Sequence, residues 1–285
     1  MKKLLFLLDT DPYPSVFDTV VAYDGGADRV AGYANVTADN VGALVDGTIF
    51  TRGGKDKQNT AIFVGGGDIT KGEALFAAVK KKFFGPFRVS AMLDSNGSNT
   101  TAAAGVALLA KAGKLKGKKA VVLAGTGPVG MRAAAFFGQE GAEVAITSRA
   151  QTRADNAAKA IESRFGVKVK PIEAKDDAAR AKAVKDADIV FAAGAIGVQL
   201  LKTQDWQSNA NIALLADVNA QPPLGIEGVE ATDKGKDRHG KTAFGALGIG
   251  GLKLKLHRGC IGQLFESSEG VLDAEEIYKL AKGMA

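Results

Sequence analysis

The sequence of 285 residues is poor in the residues that most often build disulfide, zinc and histidine-metal sites. A single cysteine, Cys260, permits no internal disulfide and no thiolate zinc centre. Two histidines, His239 and His257, cannot form a histidine-rich cage, so no metal site is expected. The reducing cytoplasm is the expected compartment. Only 7 prolines occur, and the glycines show no three-residue period, which excludes collagen and proline-rich disorder. Aromatic residues make up 7%, with one tryptophan, and none forms an interleaved run with basic residues. A stacking platform for single-stranded nucleic acid is therefore excluded. No apolar segment approaches the ~20 residues of a membrane span, so no membrane association is expected. The apolar start at Lys3–Leu8 stops at Asp9, too short for a signal peptide, and reads as a buried strand.

What the chain has in excess is glycine, 36 residues. That is roughly twice the usual share of about 7% and points to tight turns and close backbone approaches. The net charge of +6 is mild and suits an anionic small molecule better than a nucleic acid. Candidate strands at Lys3–Asp9, Arg29–Val36, Thr60–Gly65 and Phe87–Leu93 alternate with candidate helices near Val16–Tyr23, Asp39–Asp46 and Ile69–Phe83. Ser15 with Asp18 resembles a capping box. An Ala-rich helix, Asn99–Ala112, leads to a second series. Its strands are Ala120–Ala124, Val144–Thr147, Val167–Ile172, Ile189–Ala193 and Ile212–Val218. Such alternation predicts parallel α/β sheets, the second a doubly wound nucleotide-binding one. The stretch Asp233–Lys241 reads as a polar loop, and Gly251–Phe265 as a helix.

The strand Ala120–Ala124 runs into Gly125-Thr126-Gly127-Pro128-Val129-Gly130. A GxGxxG between an apolar strand and an Ala-rich helix is a dinucleotide fingerprint. Gly125 would permit the turn, Gly127 would let the backbone approach a pyrophosphate, and Gly130 would let the helix pack closely. An NAD-selective site carries Asp or Glu about 20 residues on, against the ribose hydroxyls. Here that place holds Ser148 and Arg149, with Arg153 one helical turn further. A hydroxyl and two guanidinium groups suit a 2′-phosphate, so NADP is the expected coenzyme.

These residues carry a resemblance. The sequence is similar, end to end, to the NADP-dependent methylene-tetrahydromethanopterin/methylene-tetrahydrofolate dehydrogenases of methylotrophic bacteria. The resemblance lies in Pro14–Asp18, Tyr23–Asp28, Thr51–Lys55, Phe63–Asp68, Met92–Gly105, Gly125–Met131, Asn219–Gly225, Ala243–Arg258 and Leu264–Gly270. It implies hydride transfer from the methylene group of a reduced pterin carrier to NADP⁺. It implies two α/β domains, residues 1–98 with 255–285 for the pterin and residues 99–254 for NADP, with a cleft between them. It also implies a homotrimer.

Leu252, Leu256, Cys260 and Leu264 recur every four residues and predict a core stripe, while Lys253 and His257 share a neighbouring face. From spacing alone these two are equally a solvated basic face. The resemblance matches them to the family's pocket lysine and histidine, which position the pterin. It likewise places Phe17 against the pterin, where a first-turn Phe would otherwise be a core staple, and Thr101 at the site. Asp94 and Asn96 are expected to hold the preceding loop. The glycine clusters, Gly53-Gly54 and Gly245–Gly251 among them, are expected at the ligand-binding rim. Folate dehydrogenase/cyclohydrolases carry a Tyr-x-x-x-Lys pair, whereas here Lys55 and Lys57 follow Thr51 and Gly53. No strong cyclohydrolase activity is expected. Two alternatives remain at this stage. One is a shikimate-dehydrogenase-like enzyme, resembled in Asn35-Val36-Thr37 but without the Pro and Lys that should follow. The other is an NADP-binding regulatory module that catalyses nothing.

Overall fold

A computed structural model describes all 285 residues. The chain forms two compact α/β units, Met1–Thr100 with Leu254–Leu280, and Thr101–Lys253 with Ala281–Ala285. No helix is long and apolar enough to cross a membrane.

The first unit begins β1 (Leu4–Asp9), α1 (Val16–Asp24), β2 (Arg29–Tyr33), α2 (Gly42–Phe50), β3 (Thr60–Gly65), α3 (Ile69–Lys81) and β4 (Ser90–Leu93). Next comes α4 (Ser98–Ala112), inside which the chain passes to the second unit. The central strands β3 and β4 are buried at every position, so they read as continuous apolar runs rather than alternating ones. Ile62, Val64, Leu75, Phe76, Val79 and Leu93 form part of their core, each fully buried side chain contributing about 1.5–3 kcal/mol. Ser15 caps α1, its Oγ accepting the Asp18 N–H at 3.1 Å. Asp68 caps α3 in the same way.

The second unit contains β5 (Lys119–Leu123), α5 (Pro128–Gln139), β6 (Glu143–Ser148), α6 (Gln151–Phe165), β7 (Lys170–Glu173), α7 (Asp177–Val184) and β8 (Ile189–Ala192). It continues through β9 (Leu214–Asp217), β10 (Lys234–Arg238), β11 (Lys241–Phe244) and the start of α8 (Ala246–Gln263). The chain ends in β12 (Val271–Leu272), which joins the first sheet, and α9 (Ala274–Met284). Asp273 caps α9, donating its own N–H to Glu276 Oε2 at 3.1 Å while its Oδ1 accepts from Ala274.

The first sheet has the all-parallel order β12-β4-β3-β1-β2, which reverses between β1 and β3. The second has the order β10-β11-β9-β8-β5-β6-β7, parallel except for β10, and reverses between β5 and β8. These are the two common doubly wound orders, and each reversal is where such sheets bind ligands, beyond the carboxyl ends of the strands.

The structure departs from the sequence reading in three places. The polar stretch 233–241 is mostly a hairpin, β10 and β11, turned by His239 and Gly240 at φ 55° and 77°. Its polar edge strand has no apolar alternation to reveal it. Second, α8 starts at Ala246, inside the glycine-rich segment. A Cβ on Gly245 would stand 2.0 Å from Glu230 O, and one on Gly248 would clash as closely with the Asp233 carbonyl. Gly245 and Gly248 thus seat a helix against backbone, while Gly250 and Gly251, where a Cβ would meet nothing within 4 Å, stay open. Third, Gly53 and Gly54 precede β3, at the amino end of its sheet.

Candidate active site

The fingerprint occupies the turn from β5 to α5. Its three glycines meet different surroundings. A Cβ on Gly125 would lie 2.9 Å from Ile146 Cβ, and one on Gly130 would lie 2.7 Å from Gly125 Cα, so turn and helix are packed backbone to backbone. A Cβ on Gly127 meets nothing within 4 Å. Gly127 is also the N-cap residue of α5, with Pro128 in the first turn. The first-turn N–H groups of Val129 and Gly130 have no partner within the helix, and the positive end of the dipole lies here. Thr126 completes the turn. Packed glycines on either side of an open one, at a helix N-terminus, fit the pyrophosphate of a dinucleotide.

Thr147 ties the neighbouring strand to this turn. Its carbonyl accepts the Gly125 N–H at 3.0 Å, and its Oγ1 accepts the Ala124 N–H at 3.0 Å. The next residues are Ser148, buried, and Arg149, exposed, followed by the exposed Arg153 in the first turn of α6. The structure thus brings Ser148 and Arg149 beside the fingerprint and holds them there through Thr147.

In the first unit, α8 brings His257 against α1 and β3. His257 is fully buried, its ring 6.2 Å from Phe17 and 5.4 Å, edge-on, from Phe63. A solvated basic face is therefore excluded for His257. Lys253, half-buried, lies one turn earlier on the same helix. Leu252, Leu256, Cys260 and Leu264 are all buried, as the stripe required. Burial pushes the Cys260 thiol far above its ordinary pKa, so it is inert at neutral pH. Phe17 is half exposed. Close approach of α1 to α8 depends on Gly25, where a Cβ would stand 2.5 Å from Ile261 Cβ, and Arg258 pairs with Asp24 at 2.8 Å.

Asp94 Oδ2 lies 3.9 Å from His257 Nδ1, an ion pair whenever the imidazole is protonated. The fully buried Asp94 carboxylate also holds the start of α4. Oδ1 accepts the Asn99 and Thr100 N–H groups at 2.9 and 3.1 Å, and Oδ2 accepts the Thr100 hydroxyl at 2.6 Å. Thr101 follows on the first turns of α4, half-buried. Asn96 adopts φ 53° in the loop that Asp94 anchors.

Sequence reading expected Asp94 to hold its loop but missed that the device recurs. Three apolar strands end in a buried Asp: Asp9 at the end of β1, Asp94 just after β4 and Asp217 at the end of β9. Asp9 accepts from the Asp11 and Ser15 N–H groups, both at 2.9 Å. Asp217 accepts from Asn219 at 3.0 Å and Ile226 at 2.9 Å. Burial raises the pKa of Asp9 and of Asp217, against the backbone hydrogen bonds that lower it. Each carboxylate fixes a loop at the carboxyl edge of its sheet. The signal was present: an Asp closing a run of Leu, Ile, Val or Ala.

Fold order and fingerprint define a dinucleotide-binding α/β protein. Comparison with known proteins narrows the class. Residues 16–96 match the family model described as methylene-tetrahydromethanopterin dehydrogenase, N-terminal. The chain is 69% identical to the protein named Bifunctional protein MdtA of Methylorubrum extorquens, over all of this chain and 99% of that one. It is 32% identical to the NAD(P)-dependent methylenetetrahydromethanopterin dehydrogenase of the same organism, over the same shares. A 5-ketofructose reductase of Gluconobacter sp. strain CHM43 shares the fold at TM-score 0.56 and 15% identity, over 100% of this chain and 99% of that one. The chain belongs to the methylenetetrahydromethanopterin dehydrogenase family, as the resemblance implied.

Proposed function

We propose that this protein is an NADP-dependent dehydrogenase of one-carbon metabolism. It takes a hydride from the methylene group of methylene-tetrahydromethanopterin, and also of methylene-tetrahydrofolate, leaving the methenyl form. The observation that carries the reading is the fingerprint turn, with an open Gly127 between packed glycines, in a chain of this family. When bound, NADP⁺ supplies the hydride acceptor.

The protein's own part is to bind and orient. Gly125, Thr126, Gly127, Pro128, Val129 and Gly130 hold the pyrophosphate; Ser148, Arg149 and Arg153 take the 2′-phosphate. Phe17, Thr101, Lys253 and His257 position the pterin and tune the charge around it. The methylene carbon lies between two nitrogens, which delocalise the positive charge left when the hydride departs. No proton has to move, so the site needs placement and exclusion of water more than acid–base groups. We assign the pterin to the first unit with the adjoining boundary residues Thr101 and Lys253, and NADP to the second, and we take the working form to be a homotrimer in the cytoplasm. The single, buried Cys260 suits a reducing compartment.

The test is NADPH absorbance in a mixture of protein, NADP⁺ and either methylene carrier, with steady-state constants for both. Turnover with NADP⁺, and much weaker turnover with NAD⁺, supports the reading. Coenzyme binding without turnover on either carrier would reduce the protein to a binding module. Light scattering of the purified protein checks the trimer.

A further inference from the structure

The strand β7 grips the turn that carries the expected 2′-phosphate residues. Ala174, just past its end, donates its N–H to Ser148 O at 2.7 Å. Glu173, its last residue, donates its N–H to Gln151 Oε1 at 3.1 Å, and its Oε1 accepts the Gln151 N–H at 3.3 Å. Strand and helix are thus joined by a reciprocal pair. Only Arg149 and Ala150 lie between the two gripped points, Ser148 and Gln151. The same turn is fastened on its other side by Thr147, which holds Ala124 and Gly125. A continuous hydrogen-bonded edge therefore runs from the fingerprint to β7.

The helix explains why a clasp is needed. The N-cap of α6 is Ala150, whose side chain caps nothing. An uncapped start leaves first-turn N–H groups for other acceptors, and a frayed first turn would release Arg153 together with the Arg149 backbone. Glu173 supplies the missing acceptor from the next strand. Its carboxylate is acidic and exposed, close to a site expected to take an anion, which would be a liability if repulsion were its only effect.

We propose that Gln151 and Glu173 are positioning residues for the coenzyme 2′-phosphate: their clasp holds Arg149 and Arg153 where they discriminate NADP from NAD. This rests on the NADP reading of Ser148, Arg149 and Arg153. Charge and clasp act in opposite directions, which makes the sign of the effect diagnostic. Removing the carboxylate charge alone eases repulsion of the phosphate, whereas removing the clasp loosens the arginines.

Calorimetric titration of NADP⁺ and NAD⁺ into the full-length protein tests this. Gln151→Ala and Glu173→Ala should each raise the Kd for NADP⁺ about fivefold, the worth of one surface hydrogen bond, and leave that for NAD⁺ within about twofold. Glu173→Gln keeps an acceptor and loses the charge, so it should bind NADP⁺ at least as tightly as wild type. If Glu173→Ala instead tightens NADP⁺ as Glu173→Gln does, Glu173 only repels and the clasp is wrong. If Gln151→Ala weakens both coenzymes alike, it damages the site generally and the proposal also fails. Arg149→Ala separates the two levels. Equal weakening of NADP⁺ and NAD⁺ by that variant removes the underlying NADP reading. A selective effect of Arg149→Ala with a silent Gln151→Ala removes the clasp alone.

Discussion

Replacing Gly127 by Ala should weaken coenzyme binding and leave stability nearly untouched. The backbone there has φ −85° and ψ 169°, open to any residue, and the added Cβ meets nothing within 4 Å. Alanine is a poorer N-cap than glycine by roughly 0.5–1 kcal/mol. It also restricts the unfolded chain, a gain of about 0.4–1 kcal/mol. The two offset, so Tm should move by no more than about 3 °C. Binding responds differently, because the methyl group stands where the backbone would meet the pyrophosphate. Moving the anion back forfeits one charge-assisted hydrogen bond of about 1.5–3 kcal/mol. Kd for NADP⁺ should rise about 10- to 150-fold. Gly130→Ala is the converse case. Its Cβ would lie 2.7 Å from Gly125 Cα and 3.0 Å from Gly125 C, both backbone atoms that cannot rotate away. Relaxing to an ordinary carbon contact of about 3.5–4 Å drives the helix start back by roughly 1 Å. Overpacking costs about 1–3 kcal/mol, only partly offset by the ~1 kcal/mol helix preference of Ala over Gly. Gly130→Ala should therefore lose both Tm and affinity. Thermal melts with calorimetric titrations read both quantities. Wild-type affinity in Gly127→Ala, or a fall in its Tm equal to that of Gly130→Ala, refutes the reasoning.

Thr100→Val removes the buried hydroxyl that donates to Asp94 at 2.6 Å and should cost about 1.5–3 kcal/mol in urea unfolding; a loss under about 0.5 kcal/mol contradicts the clamp. Asp217 has a raised pKa, so its protonated form is favoured in the native state and its contribution is lost as pH rises through that value. Asp217→Asn should therefore gain on wild type as pH climbs from about 4, then level off above the raised pKa; a pH-independent difference sinks this assignment. Lys57, buried before β3, sets its Nζ 2.5 Å from Pro86 O and 4.4 Å over the Phe87 ring, at the amino end of its sheet. Lys57→Met should cost about 1–2 kcal/mol of stability and leave kcat/KM unchanged, whereas a large fall in kcat at unchanged Tm would give Lys57 a role at the site.

Much of this molecule was legible before any coordinate. The alternation of apolar strands with amphipathic helices specified two parallel sheets, because only strands covered on both faces read as unbroken apolar runs. The fingerprint specified the glycine turn between β5 and α5, because a strand, three glycines and a helix start are local in the chain. That Ser148 and Arg149 stand beside that turn followed from their distance along the chain. The four-residue stripe on α8 was equally local.

Other features depended on residues far apart in sequence. Periodicity aligned Lys253 with His257 but could not say which way the helix faced; packing against Phe17 and Phe63 buried the imidazole. Gly245 and Gly248 looked like a ligand loop, and only the backbone of residues 230–233 showed that they seat a helix. The Gln151–Glu173 clasp joins a helix start to the end of the following strand, 22 residues on, and no local pattern marks it. The sequence alone determined most of the strands and helices and the glycine turn after β5, since propensity, periodicity and glycine spacing act over a few residues. Tertiary structure decided which polar groups are buried and what they hold, since burial and hydrogen-bond partners exist only once distant strands and helices have met.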